Sequence, residues 1–169
     1  MEKGIPEGEQ MRRASFQCAD AIEISLFVEK EGLLFYESVG KKIKDPQVRQ
    51  VFSRLADEER EHIQTLQEKS RYLQPAIAIK KRYNDRLSRF ISEELKGKIF
   101  PPLKSLALQN INDDKKALDL GIESEKKSIE MLQSLLEKEK KLDVKAVFSH
   151  LLVEEKRHLV MLKDMKMKL

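Results

Sequence analysis

Two stretches of the chain each hold a carboxylate and an imidazole three residues apart. The first is Leu55-Ala56-Asp57-Glu58-Glu59-Arg60-Glu61-His62-Ile63-Gln64-Thr65-Leu66. The second is Leu151-Leu152-Val153-Glu154-Glu155-Lys156-Arg157-His158-Leu159-Val160-Met161-Leu162. Residues three apart share a helix face. Here that face is the apolar one: Leu55, Glu59, His62, Ile63, Leu66, and Leu151, Glu155, His158, Leu159, Leu162. A buried charge is costly unless it is paired or binds a metal, so Glu59, His62, Glu155 and His158 are candidate metal ligands. A single Glu-x-x-His arises easily in a Glu-rich helix. His150 is the internal control: Val147 stands three residues before it, and it reads as a surface residue.

The two motifs belong to a longer repeat at an offset of 96 residues, the distance from Glu59 to Glu155. At that offset Val48, Val51, Phe52, Ser53, Leu55, Glu58, Glu59 and His62 fall on Val144, Val147, Phe148, Ser149, Leu151, Glu154, Glu155 and His158. Glu29 falls on Glu125, Ile22 on Leu118 and Leu33 on Ile129. A repeat of this length points to two copies of one supersecondary unit.

Helical periodicity supplies the elements. Residues 1–14 are polar, hold Gly4, Pro6 and Gly8, and read as a flexible tail before a single domain over 15–169. A first helix is expected from about Ser15 to Lys41, with Ile22, Leu26, Glu29, Gly32, Leu33 and Tyr36 on its inner stripe and Glu23 and Glu31 on a solvated face. Pro46 suits the start of a second helix, which Pro75 should end. Residues 73–112 are too long for a structureless loop. Ile79, Tyr83, Leu87, Phe90, Ile91 and Leu95 keep helical spacing, Arg82, Arg86 and Arg89 read as a solvated face, Gly97 is a stop and Pro101-Pro102 an extended stretch. A third helix begins near Asn112-Asp113-Asp114 and carries Leu118, Gly121, Ile122, Glu125, Ile129, Leu132 and Leu135. Leu142-Asp143 marks a turn into the fourth.

Simple arithmetic places the polar groups. The midpoint of Glu29 and Glu59 is residue 44, and that of Glu125 and Glu155 is residue 140, each at an expected turn. Every one of the four glutamates then lies about 22 Å from its turn, at 1.5 Å per residue. Two such hairpins packed about a two-fold axis bring four carboxylates and two imidazoles into one layer. Its formal charge is −4 with neutral histidines, counted as four Glu. Two divalent cations would cancel it. Carboxylate-rich donors with one imidazole per metal suit iron or manganese better than a structural zinc.

This pattern, a lone Glu from two helices and Glu-x-x-His from the other two, is the one seen in ferritin-like dimetal bundles. Glu29-Lys30-Glu31-Gly32-Leu33-Leu34-Phe35-Tyr36 followed by Asp57-Glu58-Glu59-Arg60-Glu61-His62 resembles the rubrerythrin family of that superfamily, over about Ile22 to Leu162. The resemblance implies an all-α, ferritin-like four-helix bundle of two repeated hairpins joined by a long, partly helical crossover. It implies two iron ions (manganese or a mixed pair being alternatives) on Glu29, Glu59, His62, Glu125, Glu155 and His158. It also implies an oxidoreductase that reduces hydrogen peroxide or oxygen. The alternatives are an iron-handling protein (ferroxidase, storage or transfer) and a non-catalytic metal-binding bundle. Tyr36, two turns from Glu29, is a candidate to hydrogen-bond near the site.

The chain departs from typical members twice. It lacks the four cysteines of the C-terminal rubredoxin domain, which implies a separate redox donor protein. Typical members also carry an extra carboxylate one turn beyond the third-helix ligand, where this chain has Ser128.

Composition fits this reading. Charged residues make up 37%, with no Trp and few Gly or Pro, as in long helices with charged outer faces. The net charge of +4 comes from interspersed signs, so no nucleic-acid partner is expected. The single cysteine, Cys18, excludes an internal disulfide and fits a reducing cytoplasm, and its thiol reads as inert. No membrane span is expected; the family resemblance makes a homodimer one possible assembly, with no interface marked in the sequence.

Overall fold

The computed structural model describes the backbone of residues 16–77 and 84–169. The expected tail, together with Ile79, Tyr83 and Arg82, lies outside the described residues. Four long helices form the frame: α1 (Cys18–Gly40), α2 (Pro46–Ile77), α5 (Asp114–Lys138) and α6 (Leu142–Met167). The crossover between α2 and α5 holds α3 (Asn84–Phe90), a π-helical turn (Ile91–Leu95) and the short α4 (Leu106–Gln109). No strand occurs among the described residues. This is the expected all-α bundle of two hairpins, α1–α2 and α5–α6.

Local chemistry sets the helix ends. The Gln17 backbone N–H donates to the Asp20 carboxylate at 2.7 Å and opens α1. Asp45 accepts from the backbone N–H groups of Gln47 at 2.7 Å and Val48 at 3.1 Å, with Pro46 in the first turn of α2 where no donor is needed. Asp113 accepts from the Lys116 N–H at 2.7 Å and caps α5. Asp114 accepts from the backbone N–H groups of Lys44 at 2.9 Å and Asp45 at 2.7 Å. The second hairpin therefore starts beside the turn of the first, which is why the crossover must travel back along the bundle. At the other end the Lys141 ammonium donates to the Phe16 carbonyl at 3.2 Å.

Both central turns fall where the midpoints put them, between Gly40 and Pro46 and between Lys138 and Leu142. Other boundaries differ from the sequence reading. Helix α2 runs through Pro75 to Ile77. A proline removes one donor and its bond to the carbonyl four residues back, and this close to a helix end the ladder continues without it. Leu142 and Asp143 form the first turn of α6 rather than a separate turn. Glu31 is half-buried, not solvated, and burial raises its carboxyl above the usual range. Arg86 is half-buried too, its guanidinium 5.5 Å above the Phe16 ring, because a planar cation gains by stacking on an aromatic face. Arg89 is exposed as expected.

The core joins both hairpins. Phe35, Tyr36, Phe52, Leu55, Leu118, Leu132, Phe148 and Leu162 are buried. Burying one such side chain contributes about 1.5–3 kcal/mol. From the crossover, Phe100 packs against Phe35 and Tyr36 with ring centroids 5.4 and 6.1 Å away. Gly97, at φ +71°, makes the left-handed turn that stops the π-helical segment before this stretch. No helix among the described residues is long and apolar enough to cross a membrane.

Candidate metal centre

All six residues singled out by spacing meet in one layer. Glu29, Glu59, Glu125, Glu155 and His158 are at most 2% exposed, and the His62 side chain is 20% exposed. Ligand-capable atoms of Glu29, Glu59 and His62 lie within 4.8 Å of one another, and so do those of Glu59, Glu125, Glu155 and His158. Glu59 belongs to both groups. His62 Nδ1 lies 3.4 Å from Glu29 Oε2 and 3.9 Å from Glu59 Oε2. His158 Nδ1 lies 3.4 Å from Glu59 Oε1, 3.6 Å from Glu125 Oε1 and 3.8 Å from Glu155 Oε2. The two imidazoles are nearly parallel, with centroids 6.0 Å apart.

The inward atoms lack partners. Oε2 of Glu29, Glu59, Glu125 and Glu155 and Nδ1 of both histidines are buried without a hydrogen bond. Such atoms carry a desolvation cost unless something satisfies them. Four oxygens and two nitrogens aimed at one small volume fit a pair of divalent cations.

The metal-free protein responds by holding protons. Burial pushes Glu125 up to about 7, against opposing hydrogen bonds from Glu155 and Tyr36. Burial also pushes Glu155 well above the usual carboxylate range, aided by the charge of Glu125. His62 is raised by its close contact with the Glu29 carboxylate, 3.4 Å away, which outweighs burial.

Two hydroxyls hold the carboxylates from α1 and α5. Tyr36 Oη donates to Glu125 Oε1. Burial, and then the Glu125 charge, raise the phenol well above its usual value and keep it protonated. Ser128 Oγ donates to Glu155 Oε1 at 2.9 Å. Ser128 is fully buried and lies one turn beyond Glu125.

Sequence reasoning missed an outer layer. Glu154 Oε2 sits 3.4 Å from His62 Nε2, and Glu58 Oε2 sits 3.4 Å from His158 Nε2. Each carboxylate thus faces the imidazole of the other hairpin. Arg157 donates to Glu58 at 2.7 Å and forms an ion pair with Glu154 at 2.7 Å. Glu58 is lowered overall: burial raises it, but the Arg54 hydrogen bond and the Arg157 charge outweigh that. A third acidic cluster, His62, Glu154 and His158, shares these imidazoles. Nδ1 of each ring faces the inner carboxylates, and Nε2 faces Glu58 or Glu154 at 3.4 Å, where an outer carboxylate can orient the ring. The available signal was the repeat itself, which pairs Glu58 with Glu154. Arg157 had none, since Glu61 stands in its place in the first hairpin.

His150 is exposed, as its control role required, and Cys18 is half-buried with its thiol raised by burial.

The rubrerythrin family model matches residues 20–166 of this chain. The chain belongs to the rubrerythrin family, within the ferritin-like superfamily. No curated protein and no solved structure matches it.

Proposed function

We propose that this protein is a non-haem di-iron oxidoreductase that reduces hydrogen peroxide or oxygen with electrons from a separate donor. Glu29, Glu59 and His62 would hold one iron, and Glu59, Glu125, Glu155 and His158 the other. The observation that carries the reading is the set of unpartnered buried atoms, one carboxylate oxygen from each of four glutamates and Nδ1 from each histidine. When bound, two irons supply one electron each, the two that peroxide reduction requires.

The chain's own residues do the rest. Glu29 and Glu125 come from one hairpin each and oppose the histidine-bearing helices, so the layer is clamped from both hairpins. Tyr36 keeps a proton at its oxygen and directs it at Glu125. Ser128 orients Glu155 without adding charge. The rings of Phe35, Phe52 and Phe100 pack around the Tyr36 ring and hold it in place.

The second reading is iron handling. A small cavity of about 20 Å³, near the volume of one water, is lined by Ser25, Glu29, His62, His150 and Glu154 among others, and so lies between the exposed His150 and the Glu29–His62 half of the centre. An exchangeable iron would use such a route.

Metal analysis and stopped-flow oxidation test both. Protein loaded with iron should hold close to two metals per chain. Glu59→Ala, which removes the residue common to both groups, should lose more metal than Glu29→Ala. Peroxide or oxygen should oxidise the reduced protein faster than free ferrous iron, with repeated turnover on adding reductant. Oxidation in a single stoichiometric burst with release of ferric iron would favour iron handling. No acceleration at all would leave only a metal-binding bundle.

A further inference from the structure

The first hairpin carries a groove with a volume of about 590 Å³ on its outer side. It is lined by Tyr36, Glu37, Gly40 and Lys41 of α1 and by Arg49, Ser53, Ala56 and Arg60 of α2. The internal repeat shows why it exists. At an offset of 96 residues, Tyr36, Gly40 and Ala56 correspond to Leu132, Leu136 and Leu152. At these positions the second hairpin has three leucines, Leu132 buried and Leu136 and Leu152 partly buried against the core. In the first, Gly40 and Ala56 leave the groove open down to the buried Tyr36 ring.

The rim is basic. Arg60 is occupied, bonded to Glu37 and Asp57. Arg49 uses two of its five donors on the Ile43 carbonyl, at 3.1 and 2.6 Å, and its charge meets no carboxylate among the described residues. Lys41 makes no ion pair among the described residues and is exposed. Its counterpart in the second hairpin is Glu137. Two uncompensated cations thus overhang a floor of Tyr36, Gly40 and Ala56, with the Ser53 hydroxyl between. The volume is that of a small-molecule site, apolar at the base with a few polar groups placed to orient the ligand.

We propose that this groove binds a small organic anion: a carboxylate or phosphate held by Lys41 and Arg49, with a flat apolar body lying over Gly40 and Ser53 above the buried Tyr36 and Ala56. The site lies one side chain from the centre, since the Tyr36 hydroxyl is bonded to Glu125. Binding itself does not depend on what the centre holds.

The test uses the full chain as purified and phenyl phosphate as the probe, followed by amide NMR shifts. Inorganic phosphate and benzyl alcohol serve as the bodiless and headless controls. Phenyl phosphate should saturate, with shifts concentrated at Gly40, Lys41, Ser53 and Ala56, and each control should bind at least roughly tenfold more weakly, about 1.4 kcal/mol. Gly40→Leu installs the second hairpin's own residue and should plug the groove. A Cβ there meets only the Phe52 Cβ at 3.6 Å, an ordinary contact, so the backbone has room for the substitution. Lys41→Glu installs the other counterpart and should weaken the probe similarly without any steric change. Phenyl phosphate and inorganic phosphate binding equally, with neither variant having an effect, would mean an adventitious ion only and overturn the proposal. Shifts centred elsewhere on the surface would overturn it as well.

Discussion

At the scale of single residues, the outer carboxylates decide how firmly the imidazoles are held. Glu58 on α2 faces His158 of α6, and Glu154 on α6 faces His62 of α2, so each hairpin orients the other's histidine. Partners of this kind typically govern metal affinity by 10–100-fold. Glu58→Ala should therefore weaken metal binding by about that factor in competition against a chromophoric chelator, without removing a ligand. Arg157→Gln should cost less, since the Arg157 side chain is 50% exposed and solvent takes over part of its role. An unchanged affinity in Glu58→Ala would make the His158 contact incidental. Ser128 gives a second prediction. It is fully buried and 2.9 Å from Glu155, at the place where typical members of the family carry a carboxylate. If the centre is the proposed di-iron site, Ser128→Glu would put an anion where oxidation adds positive charge, and stopped-flow oxidation of the iron-loaded, reduced protein by peroxide should accelerate.

At the scale of helices, what the sequence disclosed was height, and what it hid was direction. Helical rise and the two turns place Glu29 level with Glu59 and Glu125 level with Glu155, and the repeat applies the same arithmetic twice. Which neighbour a side chain reaches depends on the rotation of the helix and on packing from distant parts of the chain. Phe100, from a crossover with no strong pattern, could not be assigned to the Tyr36 cluster from periodicity. Nor could Glu58, which looks like one more charge on a charged helix until Arg157 and His158 arrive from 99 and 100 positions away. Gly32 shows the same limit. It read as one small residue on the stripe, but its missing Cβ is a condition of the site: a Cβ there would lie 3.0 Å from Glu59 Oε1 and 3.3 Å from Phe100 Cζ. In an ordinary helix interior Gly→Ala gains up to about 1 kcal/mol. Here crowding of about 1–3 kcal/mol should reverse that sign. Gly32→Ala should lower the melting temperature and the bound metal together, whereas Gly40→Ala, with its nearest contact at 3.6 Å, should do neither.

At the scale of the molecule, the buried acidic layer sets opposite pH dependences for the metal-free and metal-loaded states. Burial raises Glu125 from 4.5 to about 7 and Glu155 well above its usual value. A group whose folded value lies above its unfolded one stabilises the fold fully below the unfolded value, and loses that contribution as pH rises through the folded value. Between pH 4.5 and about 7 the native metal-free protein keeps the Glu125 proton that the unfolded chain has released, so stability falls as pH rises. For Glu125 alone the loss is on the order of 3 kcal/mol at most. His62, raised by Glu29, acts in the same direction as pH climbs past its ordinary value. Glu58, lowered by Arg54 and Arg157, acts oppositely, but its contribution is lost only on acidification from its unfolded value downward. Cations reverse the balance. They require ionised carboxylates and neutral imidazoles, so loading expels protons and tightens as pH rises. Thermal melts from pH 4.5 to 8 should show the chelator-treated protein losing stability upward through that window while the iron- or manganese-loaded protein gains it. Two curves that rise together would mean that the carboxylates of this layer are already paired without metal.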